Sequence, residues 1–153
     1  MADATLEQRL EQDIKDALLS GDKTRATTLR GLKAVLLNVK VAAGKRDSGL
    51  TDDEVLPVLS KESKKRQESA DLYKQGGDQA RAEAELAEKT IIDNYLPAQL
   101  SEEELTKMVE EVIRQTGANG PAGMGQVIGQ VKAKAGAAAD GAVIARIAKE
   151  KLR

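Results

Sequence analysis

The sequence predicts an all-α protein with an N-terminal helical domain, residues 1–96, and a small three-helix domain, residues 97–153. Three observations support this prediction. Apolar residues recur at intervals of three and four, the spacing of an amphipathic helix. Serine, threonine or aspartate precedes most of these stretches and glycine follows several, as at helix termini. No stretch alternates apolar and polar residues for long enough to indicate a half-buried strand.

The chain begins with a predicted helical hairpin. Its first helix carries an apolar stripe expected to pack on the neighbouring helix: Leu6, Leu10, Ile14 and Leu18. This helix is expected to end near Gly21, and Asp22 can cap the next one, which Gly44 stops. The connection is short, so the two helices should lie antiparallel.

Two further helices complete the predicted N-terminal domain. Thr51 and Glu54 have the spacing of a capping box, which opens the third helix. Pro57 lies beyond the first turn and removes a backbone donor, so it is expected to kink or delay this helix. The glycine pair at 76–77 ends it, and Asp78 can cap the fourth.

The stretch from Tyr95 to Leu105 predicts the junction between the domains. The ring of Pro97 disfavours a helical Leu96, so the preceding helix should end at about Asn94. Ser101 and Glu104 form another capping box, which starts a new helix. Leu96 and Pro97 are therefore the predicted hinge.

The C-terminal domain is predicted to contain three short helices. Gly117 stops the first. The second runs from Met124 to about Lys134, and Asp140 caps the third.

The composition excludes several kinds of site. The chain has no histidine and no cysteine, which removes the usual catalytic triads, thiol nucleophiles, disulfides and zinc sites. No glycine-rich phosphate loop or carboxylate pair indicates an active site, so we expect neither an independent enzyme nor a bound cofactor or metal. The chain lacks an N-terminal targeting pattern and a stretch long enough to span a membrane, so a cytoplasmic location is expected.

Charge is balanced overall but uneven along the chain. The 24 basic and 25 acidic residues give a net charge of −1. Residues 112–153 contain seven basic and two acidic residues, a local net of +5. This tail is a candidate anion-binding surface. The lysines that we select there as RNA-binding candidates are Lys132, Lys134, Lys149 and Lys151.

A second basic cluster lies on the third predicted helix, and its members are Lys61, Lys64, Lys65 and Arg66. One interpretation is a solvated helix face on which Glu62 pairs with Arg66; the alternative is a phosphate-binding patch. Arg30 and Lys33 flank the apolar stripe of the second helix, where they either cover the edge of the core or bind RNA. The chain has two tyrosines and no other aromatic residue, so RNA would be recognised through its folded backbone rather than by base stacking.

Glycines at 123, 125 and 129 come close to the dinucleotide-binding fingerprint. The third glycine is one residue late, and no strand precedes the motif. We therefore interpret these glycines as permitting close helix packing or a tight entry turn. A helix N-terminus that binds a phosphate group is the alternative.

Several segments in this order and spacing resemble the YqeY-type, GatB/YqeY-domain proteins over essentially the whole chain. They are LRGLKA (29–34), LTDDEVL (50–56), KKRQES (64–69), YLPAQLSEEEL (95–105), MGQVIG (124–129) and ADG (139–141). The resemblance implies an all-α protein whose second domain is similar to the tRNA-contacting tail of the tRNA-dependent amidotransferase B subunit. It also implies the family-level description of carbon-nitrogen ligase activity with glutamine as amido-N-donor.

These observations lead to three hypotheses. The first is a non-catalytic adaptor that binds tRNA or another folded RNA, or that associates with tRNA-charging or amidotransferase machinery. The second is a protein-protein interaction module with no RNA role. The third is an amidotransferase in its own right, although the catalytic domains of that enzyme have no counterpart in this chain.

Overall fold

The computed structural model of the protein describes residues 3–153. All regular secondary structure in this part of the chain is helical, which confirms the predicted all-α fold. Seven α-helices lie within the described residues: α1 (Leu6–Ser20), α2 (Lys23–Ala42), α3 (Asp52–Gln75), α4 (Gln79–Asp93), α5 (Glu102–Thr116), α6 (Met124–Ala135) and α7 (Gly141–Lys151). Single turns of 3₁₀ helix, Pro121–Gly123 and Gly136–Ala138, flank α6.

The chain divides into two compact units, of which the first ends at Leu96 and the second begins at Pro97. The first unit contains α1 to α4 and the second contains α5 to α7. Each unit has its own apolar core. The first core centres on Leu29, Val55 and Ile92, each at most 1% exposed.

Local sequence determines most helix ends. Thr5, Thr51 and Ser101 each form a capping box, and Asp22 caps α2. Gly21 ends α1 with a φ of 76°, a conformation that costs glycine little. These ends agree with the sequence-based predictions, except that the capping box at Thr5 was not predicted.

Two expectations about individual residues are wrong. Leu18 is 56% exposed, and Ala17 is buried instead. The reason is geometric: a stripe of residues four apart drifts about 40° around the helix with each step, because the repeat is 3.6 residues. Pro57 was expected to kink or delay α3, and the delay does not occur, because α3 begins at Asp52 and continues past Pro57 to Gln75; the kink stays a prediction. Both Pro57 and Asp53 are exposed, so the carbonyl that loses its donor lies on the solvent side of the helix.

In the second unit, α7 runs alongside α5 in the same direction. Arg146 pairs with Glu102 near the start of α5, and Lys151 pairs with Glu110 further along it. The segment before α5 is attached to the segment after α6, because the Leu100 amide donates to the Ala138 carbonyl at 2.8 Å. None of the helices in residues 3–153 is long and apolar enough to cross a membrane.

Candidate nucleic-acid interface

Helix α6 is the part of the second unit with the least charge compensation. Its sequence, MGQVIGQVKAKA, contains two lysines and no acidic residue. Val127 and Val131 are fully buried and attach the helix to its unit. Gly125 and Gly129 lie one turn apart on the exposed side. The helix therefore presents a smooth surface that carries only positive charge.

The two exposed glycines have no packing role among the described residues. A Cβ atom added to Gly125 or Gly129 would have no other atom within 4 Å. The interpretation of close helix packing is therefore wrong for this pair. It does fit Gly123, where an added Cβ would lie 2.8 Å from the Ala118 Cβ in the entry turn. Each glycine inside a helix costs about 0.8–1 kcal/mol relative to alanine.

The lysines of α6 are near its C-terminal end. Lys132 lies across the first turn of α7, because its Cε would be 2.8 Å from a Cβ on Gly141. Lys134 donates to the Gln115 side-chain carbonyl at 3.2 Å. Neither lysine belongs to an ion pair in the described part of the chain. Both ammonium groups are thus exposed cations without carboxylate compensation.

The remaining tail candidates differ in their surroundings. Lys151 pairs with Glu110 at 2.9 Å, and this hydrogen bond lowers the pKa of Glu110. Lys149 is exposed and enters no ion pair within residues 3–153. The second unit as a whole has eight basic and seven acidic residues, a net of +1, because it includes the acidic α5. The excess of +5 in residues 112–153 is thus largely offset within the unit. Lys132, Lys134 and Lys149 belong to no ion pair among the described residues.

The basic cluster of α3 does not act as a single patch. Lys61, Lys64 and Lys65 are exposed, and Lys65 pairs with Glu62 at 3.2 Å. Arg66 instead faces α4, where it pairs with two carboxylates: Glu85 at 3.2 Å and Glu88 at 3.4 Å. The predicted pair between Glu62 and Arg66 is therefore wrong, because α4 offers the guanidinium two acceptors.

The candidates on α2 lie outside the core. Lys33 pairs with Glu11 of α1 at 2.5 Å. Arg30 is exposed one turn earlier on the helix. Lys33 thus has a structural partner, whereas Arg30 has no ion pair among the described residues.

A polar cluster that the sequence did not predict joins α1 to the end of α4. The Tyr95 hydroxyl donates to Asp13, and the Arg25 guanidinium lies 3.6 Å from the same carboxylate. Arg9 stacks 4.5 Å from the centre of the Tyr95 ring and donates to the Asn94 carbonyl at 3.1 Å. Burial, followed by the bond to Asp13, raises the pKa of Tyr95. The cluster fixes the segment that leads to the predicted hinge residues, Leu96 and Pro97.

Only one contact in this cluster, between Arg9 and Asp13, could have been predicted from local sequence spacing. Arg9 and Asp13 are one turn apart on α1, and Tyr95 is one of two aromatic residues in the chain. Their meeting depends on the tertiary fold. Within residues 3–153, no three acidic side chains come together in a way that could hold a metal ion. The chemistry that these clusters offer is binding of anionic groups by amines and guanidinium groups.

Fold and surface together define a class: a two-unit helical protein with a basic, glycine-bearing helix in its second unit. The chain belongs to the Yqey-like protein family, whose family model matches residues 7–152. It is also similar to the Altered inheritance of mitochondria protein 41, mitochondrial, of Eremothecium gossypii. The two are 33% identical over 89 residues, which cover 58% of this chain and 48% of that protein. The match thus spans about half the length of this relative. Its name refers to mitochondria, and the cytoplasmic location expected for this chain stays a prediction.

Proposed function

We propose that the protein is a non-catalytic adaptor that binds tRNA, or that associates with the tRNA-dependent amidotransferase machinery, through its second unit. The observation that carries this proposal is the exposed face of α6. That face combines two glycines without a packing role, Lys132 and no acidic residue, whereas Lys134 lies on the opposite side of the helix, next to Gln115 of α5. Membership of the Yqey-like protein family supports it through the resemblance of the second unit to a tRNA-contacting tail.

The face suits a folded RNA backbone. Double-stranded RNA presents phosphates and 2′-hydroxyls across a wide, shallow minor groove. A helix without side chains at Gly125 and Gly129 lets such a surface approach its peptide backbone closely. Lys132 then lies beside the same surface and neutralises a phosphate. Base stacking has no part in this arrangement, because both tyrosines of the chain are in the first unit.

The first test is binding of unfractionated tRNA measured at several salt concentrations. Each lysine that contacts a phosphate adds about 1 to the slope of log affinity against log salt. Changing Lys132→Glu is expected to weaken binding and to lower the slope by about 1. Lys107→Glu is the matched control, since Lys107 is 74% exposed on α5 of the same unit. Equal losses in Lys132→Glu and the control, or no binding at low salt, would contradict the proposal.

A separate experiment tests the proposal that the protein is not itself an enzyme. The purified chain, given glutamine and a mischarged tRNA, is expected to form no amidated product. Amidation by the chain alone would show that it is an amidotransferase.

A protein-protein module without RNA is the competing function, and exposed apolar residues on α2 favour it. Purification of the tagged chain from extract with and without ribonuclease separates the two functions. Partners lost after ribonuclease treatment support the RNA adaptor. Partners that persist, together with absent tRNA binding, support the protein module.

A further inference from the structure

The connection between α5 and α6 contains an asparagine that is followed by a glycine. The chain has three asparagines, Asn38, Asn94 and Asn119, and only Asn119 precedes a glycine, Gly120. This pair lies between α5 and the 3₁₀ turn, outside any helix. All three asparagines are exposed to solvent. They therefore differ in the backbone that follows them rather than in their access to water.

The backbone amides that follow the other two asparagines are hydrogen-bonded. Asn38 lies inside α2, so the amide of Val39 belongs to the hydrogen-bond ladder of that helix. The Tyr95 amide, which follows Asn94, donates to the Ile92 carbonyl at 3.0 Å. In both places the nitrogen is engaged and the next residue carries a bulky side chain.

Gly120 offers a different environment. Its amide donates to no acceptor within residues 3–153, and the carboxamide of Asn119 has no hydrogen bond there either. A Cβ atom added to Gly120 would have nothing within 4 Å, so the space around the peptide is open. The neighbouring backbone is fixed, since the Ala118 amide donates to the Thr116 hydroxyl at 3.2 Å. An unengaged nitrogen and an unengaged carboxamide thus lie next to each other in an exposed turn.

We propose that Asn119 is a site of spontaneous deamidation, in which the backbone nitrogen of Gly120 converts the carboxamide into a carboxylate. The nitrogen loses its proton and attacks Cγ of Asn119. The new N–Cγ bond closes a five-membered succinimide ring, the Cγ–Nδ2 bond breaks, and the side-chain nitrogen leaves as ammonia. Water then adds to one of the two ring carbonyl carbons. Opening at Cγ gives aspartate, and opening at the main-chain carbonyl carbon gives isoaspartate, so water is the only co-reactant.

The rate of ring closure depends on how easily the backbone nitrogen reaches the preceding side chain. Reactions within one molecule gain strongly from proximity once the reacting atoms can come to about 3–3.5 Å. A Cβ on the second residue hinders this approach, and Gly120 has none. The Tyr95 amide would first have to give up its hydrogen bond to the Ile92 carbonyl. The structure therefore favours reaction at Asn119 over the other two asparagines.

Deamidation would change the charge and the backbone just before α6. The second unit has eight basic and seven acidic residues, so one more carboxylate brings its net charge from +1 to zero. In isoaspartate the main chain runs through the former side chain and is longer by one carbon. This extra carbon would lie next to the turn in which Gly123 is packed against Ala118. Molecules that have reacted thus differ from fresh ones in the segment that leads into α6.

The first experiment follows the three asparagines in the full wild-type chain. The protein is incubated at physiological pH and temperature, and samples taken over days to weeks are digested and analysed by peptide mass spectrometry, with an unincubated sample as the reference. Asn119 should convert at least tenfold faster than Asn38 and Asn94, and its products should include isoaspartate. Equal conversion at the three positions, or no conversion at Asn119, overturns the proposal. Aspartate without isoaspartate would indicate direct hydrolysis and would overturn the role of the Gly120 nitrogen.

The second experiment uses ion-exchange chromatography of the intact protein. The wild-type chain should accumulate a more acidic form with time. Asn119→Gln should remove most of this form, because a glutamine side chain would have to close a larger ring. Asn38→Gln is the matched control, since Asn38 is also exposed, and it should accumulate the acidic form at the wild-type rate. An acidic form that appears equally fast in Asn119→Gln would contradict the assignment to Asn119.

Discussion

Replacement of Gly129 by alanine should make α6 more stable and its binding weaker. The added Cβ would meet no atom within 4 Å, so the substitution introduces no clash. The backbone gain is then about 0.8–1 kcal/mol, the difference in helix propensity between glycine and alanine. For a unit of roughly 60 residues, 1 kcal/mol raises the unfolding midpoint by about 4–8 °C.

The binding loss has a different cause. If a ribose-phosphate backbone contacts the peptide groups of α6, a methyl group at position 129 holds it away. We expect tRNA binding to weaken about five- to tenfold, and about 1.4 kcal/mol corresponds to tenfold. Gly129→Gln should weaken binding further and also raise stability, because glutamine is a good helix former.

Gly31→Ala provides the matched control. Gly31 is exposed inside α2 and would also have no atom within 4 Å of an added Cβ. The same gain in helix propensity is expected there, without a loss of tRNA affinity. Circular dichroism follows unfolding, and filter binding at fixed salt measures affinity. If Gly129→Ala raises stability and leaves tRNA affinity unchanged, the glycine face has no part in binding and the reasoning is refuted.

Three predictions concern the first unit alone. Tyr95→Phe should lower its free energy of unfolding by about 1–2 kcal/mol, because the hydrogen bond to the Asp13 carboxylate is lost. Tyr73→Phe is the control, since the Tyr73 hydroxyl makes no hydrogen bond in the described residues. Both tyrosines lie in the first unit, so tyrosine fluorescence reports the unfolding of this unit selectively. The raised pKa of Tyr95 also predicts that wild-type stability falls as the pH rises above about 10, because the unfolded state then loses a proton that the folded state keeps. Stability that stays constant above about pH 10 would contradict this prediction. Thr28→Val should raise stability by about 1 kcal/mol in urea unfolding, because the buried Thr28 hydroxyl has no partner among the described residues. A destabilised Thr28→Val variant would instead indicate that the hydroxyl is satisfied.

Helix boundaries could be predicted because the residues that determine them are close in sequence. Ser101 accepts from the Glu104 amide at 3.1 Å, three residues away. Asp78 accepts from the Arg81 amide at 3.0 Å in the same manner. Such contacts form wherever the local backbone is helical, so the pattern alone identifies them. The same local rule was too strict for Pro57, whose lost hydrogen bond lies on the solvent side of α3.

Partners that are distant in sequence could not be predicted. The sequence offered Glu62 to Arg66 at helical spacing, but packing of α3 against α4 supplied Glu85 and Glu88 instead. Asp13 meets Tyr95 across 82 positions for the same reason. The net charge of +5 counted for residues 112–153 was correct, but it overstated the positive charge of the folded unit, because α5 supplies carboxylates such as Glu110 to the same unit.

Lysines alone would be a weak argument for an RNA-binding α6. Lys132 and Lys134 are in its last turn, where positive charge stabilises a helix by interacting with the negative end of its dipole. They would be favourable there even in a protein that binds nothing. The exposed glycines have no such explanation, because both lower helix stability and neither relieves a contact in the described structure. Gly31 has the same cost and the same open surroundings in α2, so one exposed glycine is no evidence of binding. Gly125 and Gly129 differ because they lie one turn apart on one face of α6, where together they allow a partner to approach the backbone closely. The glycine variants therefore test the function of α6 more directly than the lysine variants do.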